Sequence, residues 1–149
     1  MRAVLQRVLE GRVTVDHNVV GEIGPGYVVL LGVTHKDGLA EAKKLAEKTT
    51  YLRVFEDAQG KMNRSVLDTQ ADILVISQFT LFADARKGRR PSFTQAAVPS
   101  IAEPLVREFG QYLRELGVEK VETGIFGANM LVHIENDGPV TIILDTDHL

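Results

Sequence analysis

Apolar and polar positions alternate almost from the first residue. Val4–Leu9 and Arg12–Val15 alternate or nearly so, and Asp16-His17-Asn18 supplies a turn before Val19-Val20. This pattern predicts a strand and hairpin. Gly24-Pro25-Gly26 is a second turn, and Tyr27–Val33 is a continuous apolar run, as expected of a strand buried on both faces. The period then changes. Leu39, Ala42, Leu45, Ala46 and Thr49 fall on one side at helical spacing, and Asp37 ahead of them suits a helix cap. Tyr51–Phe55 and Asp72–Leu81 read as strands.

A second helix starts near Ser100–Pro104, where Ser100 with Glu103 suggests a capping box and Pro104 suggests a first helical residue. Both boundaries stay open. Leu105, Val106, Phe109, Leu113 and Leu116 mark its buried face, and Gly117 suits its stop. Val118–Glu122, Met130–Glu135 and Val140–Asp145 read as the last strands. The order strands, helix, strands, helix, strands predicts a mixed α/β fold with largely antiparallel sheets and two main helices, in a single domain over residues 1–149.

The last two strands are separated by Asn136-Asp137-Gly138-Pro139. Proline cannot donate to a ladder, and the glycine before it reaches backbone angles closed to other residues. Such a segment presents bare backbone, with almost no side chain in the way. A plain hairpin turn has the same chemistry.

Composition narrows the classes. The chain has 149 residues, 44% hydrophobic and 25% charged, enough for one globular core. No apolar run approaches the roughly 20 residues of a membrane span. The sequence opens without an apolar signal region, so a cytoplasmic location and no membrane partner are expected. It has no cysteine, which removes disulfides, thiolate metal sites and thiol catalysis. The formal charge of −3 argues against a general nucleic-acid coat but leaves room for a local basic site.

Three segments could carry chemistry. Ser77-Gln78-Phe79-Thr80-Leu81 ends the run Ile73–Ile76, and strand alternation would put Gln78 and Thr80 on one face and Ser77 and Phe79 on the other. These polar groups suit a site at a sheet end, or equally a strand terminus bonding to local backbone. In Arg86-Lys87-Gly88-Arg89-Arg90-Pro91, four of the five residues from Arg86 to Arg90 are cationic. This is either a phosphate-binding loop or a solvated one. The third segment is the Gly138-Pro139 turn. His17, His35, His133 and His148 lie outside all three, and no two are spaced like metal ligands. Neither a nucleophile elbow nor a phosphate-cradling glycine loop occurs. An enzyme of this kind would rely on positioning, backbone hydrogen bonds and a group on its substrate. No cofactor and no metal are expected.

Taken together, these segments resemble the D-aminoacyl-tRNA deacylases of the widespread bacterial and eukaryotic type. The resemblance covers almost the whole chain. It rests on Ser77-Gln78-Phe79-Thr80-Leu81 and Asn136-Asp137-Gly138-Pro139-Val140-Thr141, on the opening Met1–Val8, and on Gly21–Gly26. It includes Leu52-Arg53-Val54-Phe55-Glu56-Asp57, Arg86–Phe93 and Glu122-Thr123-Gly124. Each motif alone is weak; together, in this order, they are specific. Asn129 departs from the family, which often has Asp there.

The resemblance implies a homodimeric ester hydrolase acting on the aminoacylated 3′ end of tRNA, releasing free D-amino acid. It implies a cis Gly138–Pro139 bond in a chiral gate that one subunit inserts into the other's site, with Arg7 and Met130 supporting it. Ser77, Gln78, Phe79 and Thr80 would be the catalytic pocket around the ester and terminal adenosine, their N–H groups stabilising the oxyanion. Arg86, Lys87, Arg89 and Arg90 would steer the acceptor phosphates. Glycyl-tRNA would also be cleaved, and catalysis would be assisted by the RNA. Two other readings remain at this point: Thr80 as a nucleophile on the same substrate, and a non-catalytic RNA-binding module.

Overall fold

The computed structural model describes Met1–Leu149. In chain order its elements are β1 (Arg2–Val15), β2 (Asn18–Ile23), β3 (Gly26–Gly32), α1 (Leu39–Tyr51), β4 (Phe55–Glu56), β5 (Met62–Arg64), β6 (Asp72–Ser77), a 3-10 turn (Phe79–Phe82), α2 (Pro99–Glu115), β7 (Val121–Thr123) and β8 (Leu131–Asp145), before a final 3-10 turn at Thr146–His148.

The two alternating segments at the start form one strand, β1, which carries neighbours on both edges. Along one edge, β2 and β3 follow each other antiparallel, from Val15 opposite Asn18 to Arg2 opposite Gly32. Asp16 and His17 make the tight turn into β2, at φ 47° and 64°. Along the other edge runs β8, also antiparallel, from Thr14 opposite Leu131 to Arg2 opposite Asp145. Beyond β3, β6 and then β7 add in parallel. The result is a six-stranded mixed sheet, mostly antiparallel, with β4 and β5 as a separate two-stranded ribbon.

The sheet has two cores because it curls. On one face α1 and α2 cover Leu5, Tyr27, Val29, Leu31, Ile73 and Val75, with Leu45, Phe109 and Leu113 from the helices. On the other, Val8, Val13, Ile23, Val28, Leu74 and Ile76 form a smaller cluster. It closes because β2 folds down onto β7. A Cβ at Gly21 would lie 2.9 Å from the Thr123 carbonyl oxygen, so only glycine allows that approach. Tyr27, Val28, Val29 and Leu31 are therefore buried from both sides, as the unbroken apolar run predicts.

Several boundaries differ from the sequence expectation. Asp37 does not cap α1. Gly38 precedes the helix, and its N–H donates to the Glu41 carboxylate at 2.8 Å. Asp37 is buried instead, accepting from the Met1 ammonium at 2.6 Å and from the Thr34 amide at 2.6 Å. The strand expected over Tyr51–Phe55 shrinks to Phe55–Glu56, because α1 continues to Tyr51 while Thr49 and Thr50 bury on its inner face. The strand expected over Asp72–Leu81 stops at Ser77, and the chain then coils. α2 begins earlier than either option, with Pro99 at its first position and Pro104 inside it. The strand expected over Val118–Glu122 is the shorter β7. No helix is long and apolar enough to cross a membrane.

Candidate functional site

Asn136–Pro139 is not a hairpin turn. Both flanking runs pair with β1 in the same direction, as parts of one strand. Asn136 lies opposite Val8 and Thr141 opposite Gln6, so Asp137, Gly138, Pro139 and Val140 together stand against Arg7 alone. The extra residues loop out of the ladder as a wide bulge. The Gly138–Pro139 peptide bond is cis and Gly138 has φ +120°. Gly138 and Pro139 are exposed, so the loop's apex offers main chain to its surroundings.

Arg7 anchors this loop from below. Its side chain is buried; Nε donates to the Asp137 carbonyl at 3.2 Å and lies 3.3 Å from the Asp137 carboxylate, while Nη1 donates to the Val54 carbonyl at 2.7 Å. A guanidinium suits this junction, because its planar fork serves several acceptors at once. Tyr27 sits opposite Arg7 on β3, with its ring 5.1 Å from that of Phe55. Burial pushes its phenol far above the usual value, against the opposing pull of the Arg7 charge.

The Ser77–Leu81 segment follows β6. The Gln78 N–H donates to the Leu31 carbonyl at 2.8 Å, which removes it from the amides expected to face an oxyanion. The expected two-faced alternation of Ser77 to Thr80 fails because Phe79–Phe82 is a 3-10 turn. Phe79 and Thr80 open that turn, where N–H groups lack intrahelical partners. The Gln78 side-chain amide donates to the Thr80 hydroxyl. That partner is a donor and offers no base. Beside Ser77, a cleft of about 270 Å³ opens between the ends of β6 and β7 and the flank of α2, lined by Thr123, Gly124, Phe126, Val106 and Arg107 among others. Met130 lies against its rim: a Cβ on Gly124 would be 2.5 Å from the Met130 sulfur.

The basic segment is a loop pinched at its base, where Asp84 and Ser92 exchange backbone hydrogen bonds of 2.7 and 2.9 Å. Arg86 folds back onto Asp84, with Nη2 2.7 Å from the carboxylate. The Arg86 hydrogen bonds hold the Asp84 carboxyl down at about 2. Lys87, Arg89 and Arg90 are exposed and form no ion pair. The pairing of Arg86 had no signal in the sequence, since any of the four cations could have met Asp84. At the foot of the loop Phe93 packs edge-on against Phe79, ring centroids 5.1 Å apart.

The structure does not bring the Ser77–Leu81 segment and the Gly138–Pro139 bulge together within one chain. Ser77 lies opposite Leu31, and Leu31 opposite Ala3. The bulge stands one strand beyond and four residues along, opposite Arg7. Measured along the sheet, strand spacing and rise separate them by about 19 Å. Elsewhere, ligand atoms of Glu10, His133 and Glu135 lie within 4.8 Å of one another, but Arg12 already holds Glu10 at 2.5 Å and would compete with a cation.

Comparison with known proteins agrees with the motifs. The family model of D-Tyr-tRNA(Tyr) deacylase matches residues 4–145. A protein of Thermomicrobium roseum named D-aminoacyl-tRNA deacylase is 58% identical over 149 residues, covering 100% of this chain and 96% of its own. One of the same name from Thermus aquaticus is 58% identical over 146 residues, covering 98% and 95%. Among solved structures, the c-Myc DNA Unwinding Element Binding Protein is 44% identical with a TM-score of 0.91, over 97% of this chain and 98% of that one. A probable eukaryotic D-amino acid tRNA deacylase shares the fold, with a TM-score of 0.82 at 19% identity, over 96% and 97% of the two chains. With its motifs in order along nearly its whole length, the chain belongs to the D-Tyr-tRNA(Tyr) deacylase family.

Proposed function

We propose that this protein hydrolyses the ester of D-aminoacyl-tRNA and rejects the L form. The observation that carries the reading is the bulge at Gly138–Pro139, an exposed loop walled by main chain and anchored by the buried Arg7. A wall of backbone atoms excludes the L side chain by clash and leaves the D side chain pointing outward. Selectivity then comes from rejection, not from grip on a chosen side chain. Glycine has nothing to clash, so glycyl-tRNA is cleaved too.

The cleft beside Ser77 receives the terminal adenosine, and the amides of Phe79 and Thr80 face the ester carbonyl. Water attacks the carbonyl carbon; the bond to the ribose oxygen breaks, and that oxygen takes up a proton. The neighbouring ribose hydroxyl orients the water, because Thr80 has only an amide donor as side-chain partner. Met130 braces the rim, and Lys87, Arg89 and Arg90 draw in the acceptor phosphates. The working unit is a homodimer in which the bulge of one copy closes the Ser77 cleft of the other. Two features support this: the separation of about 19 Å within one chain, and the apolar residues left exposed along β1 and β8, with Leu9 52%, Leu131 75% and Ile143 67% exposed.

The test is a panel of D-, L- and glycyl-tRNAs, with a D-aminoacyl-tRNA ending in 2′-deoxyadenosine. Rapid cleavage of D and measurable cleavage of glycyl substrates are expected, with L and 2′-deoxy substrates resistant. Equal rates on D and L would sink the gate. Unchanged turnover of the 2′-deoxy substrate, or an acyl group trapped on Thr80, would sink the RNA-assisted step. No cleavage of any substrate, with tRNA still bound, would leave a binding module.

A further inference from the structure

Large aromatic rings are usually buried in a chain of this size, yet two of the six phenylalanines meet at the surface, one of them two residues from Ser77. Phe79 is 57% exposed and Phe93 37% exposed, and they touch edge-on at 71° with centroids 5.1 Å apart. An edge-on contact leaves ring faces uncovered. Their surroundings are unusual as well. Phe79 lies two residues after Ser77, which lines the cleft, and Phe93 directly follows the Asp84–Ser92 bridge that closes the basic loop. The unpaired cations Lys87, Arg89 and Arg90 thus project from the same base as the rings. Exposed aromatic faces next to free cations are what a protein uses to hold single-stranded nucleic acid: rings stack on bases while cations follow the phosphates.

We propose that Phe93, set against Phe79, is a stacking platform for the unpaired base that precedes the terminal adenosine of the RNA substrate. The inference rests on the deacylase reading and extends it by one nucleotide. With the terminal nucleoside in the cleft beside Ser77, the Phe79–Phe93 pair links that cleft to the base of the basic loop, where the preceding nucleotide would meet it. Stacking is indifferent to base identity, so the platform grips the single-stranded end shared by all substrates without selecting among them.

The experiment compares D-aminoacyl-tRNA with D-aminoacyl-adenosine, which lacks the preceding nucleotide, on wild type, Phe93→Leu and Phe93→Tyr. Phe93→Leu keeps apolar bulk but has no ring face. Its kcat/KM is expected to fall about tenfold further on the tRNA than on the adenosine ester, through KM, while Phe93→Tyr restores the wild-type ratio. A second arm uses uncharged tRNA carrying 2-aminopurine at the penultimate position. Wild type should quench its fluorescence, and Phe93→Leu should not. An equal loss on both substrates would make Phe93 a mere support for Phe79. No loss, or quenching retained in Phe93→Leu, would overturn the platform. If wild type cleaved neither ester, the deacylase reading would fail and the fluorescence arm would still decide the stacking.

Discussion

At Gly138 the backbone lies at φ +120°, and a Cβ there would stand 2.9 Å from Val140 Cγ2 and 3.2 Å from Arg7 Nη2. Two penalties therefore coincide, a conformation that side chains resist and a contact with the guanidinium that anchors the loop. Gly138→Ala should destabilise the protein by about 1–2 kcal/mol, read as a shift in urea midpoint. Its effect on function should be larger. On the proposed reading, displacing the loop by a fraction of an ångström moves the wall against which the substrate sits, so hydrolysis of D-aminoacyl-tRNA should fall about a hundredfold. An activity within a factor of two of wild type would place the loop outside the site. Arg7 gives the position its rigidity: its contacts with Asp137 and Val54 tie the bulge to the segment leading into β4.

Within the basic loop the four cations are not equivalent. Arg86 is committed to Asp84, whereas Lys87, Arg89 and Arg90 are free. Replacing Arg89 and Arg90 together by glutamine should reduce the slope of log affinity for tRNA against log salt by about 1.5–2. The single change Arg86→Gln should alter the slope less. Equal effects from all three arginines would mean that Arg86 leaves Asp84 when RNA binds. The same ion pair sets a pH limit. The folded-state value of Asp84, about 2, lies below its unfolded one. What the carboxylate contributes to closing the loop is thus fully present above roughly pH 4 and is lost as the pH falls towards 2. A carboxyl NMR titration should show the Asp84 midpoint near 2 in wild type and closer to the ordinary aspartate value in Arg86→Gln. An unmoved midpoint would exclude Arg86 as its cause.

For the molecule as a whole, the separation between the Ser77 cleft and the bulge predicts complementation. A gate variant, Gly138→Trp, and a pocket variant, Phe79→Pro, which removes a proposed oxyanion amide at the first position of the 3-10 turn, should each be nearly inactive alone. Unfolded and refolded together, they would form, in the proposed homodimer, mixed dimers in which one site joins an intact pocket to an intact gate. Random pairing makes half the dimers mixed with one good site each, so about a quarter of wild-type activity should return. If each chain carried its whole site, mixing would restore nothing.

Much of the fold is legible in the order of the amino acids alone. The apolar run at Tyr27–Val33 requires cover on both faces, the spacing of Leu105, Phe109 and Leu113 defines the buried face of α2, and Gly117, at φ +106°, stops that helix where glycine can. The three candidate segments are equally visible, since turn residues, clustered cations and polar strand ends are local chemistry. Pairing is what the sequence leaves undecided. Asn-Asp-Gly-Pro suits a hairpin and a bulge equally. It becomes a bulge because both of its flanks bond to β1, where Arg7, 130 positions away, reaches the Asp137 carbonyl. Asp37 has the chemistry of a helix cap, but the buried Met1 ammonium needs a counter-charge and takes it. Phe79 and Phe93 are fourteen positions apart and meet only because the Asp84–Ser92 bridge folds the basic loop back. Local preference acts through a residue's own backbone and near neighbours. Partners across a strand or a core are selected by which buried groups can be satisfied together, and that choice exists only once the chain is folded.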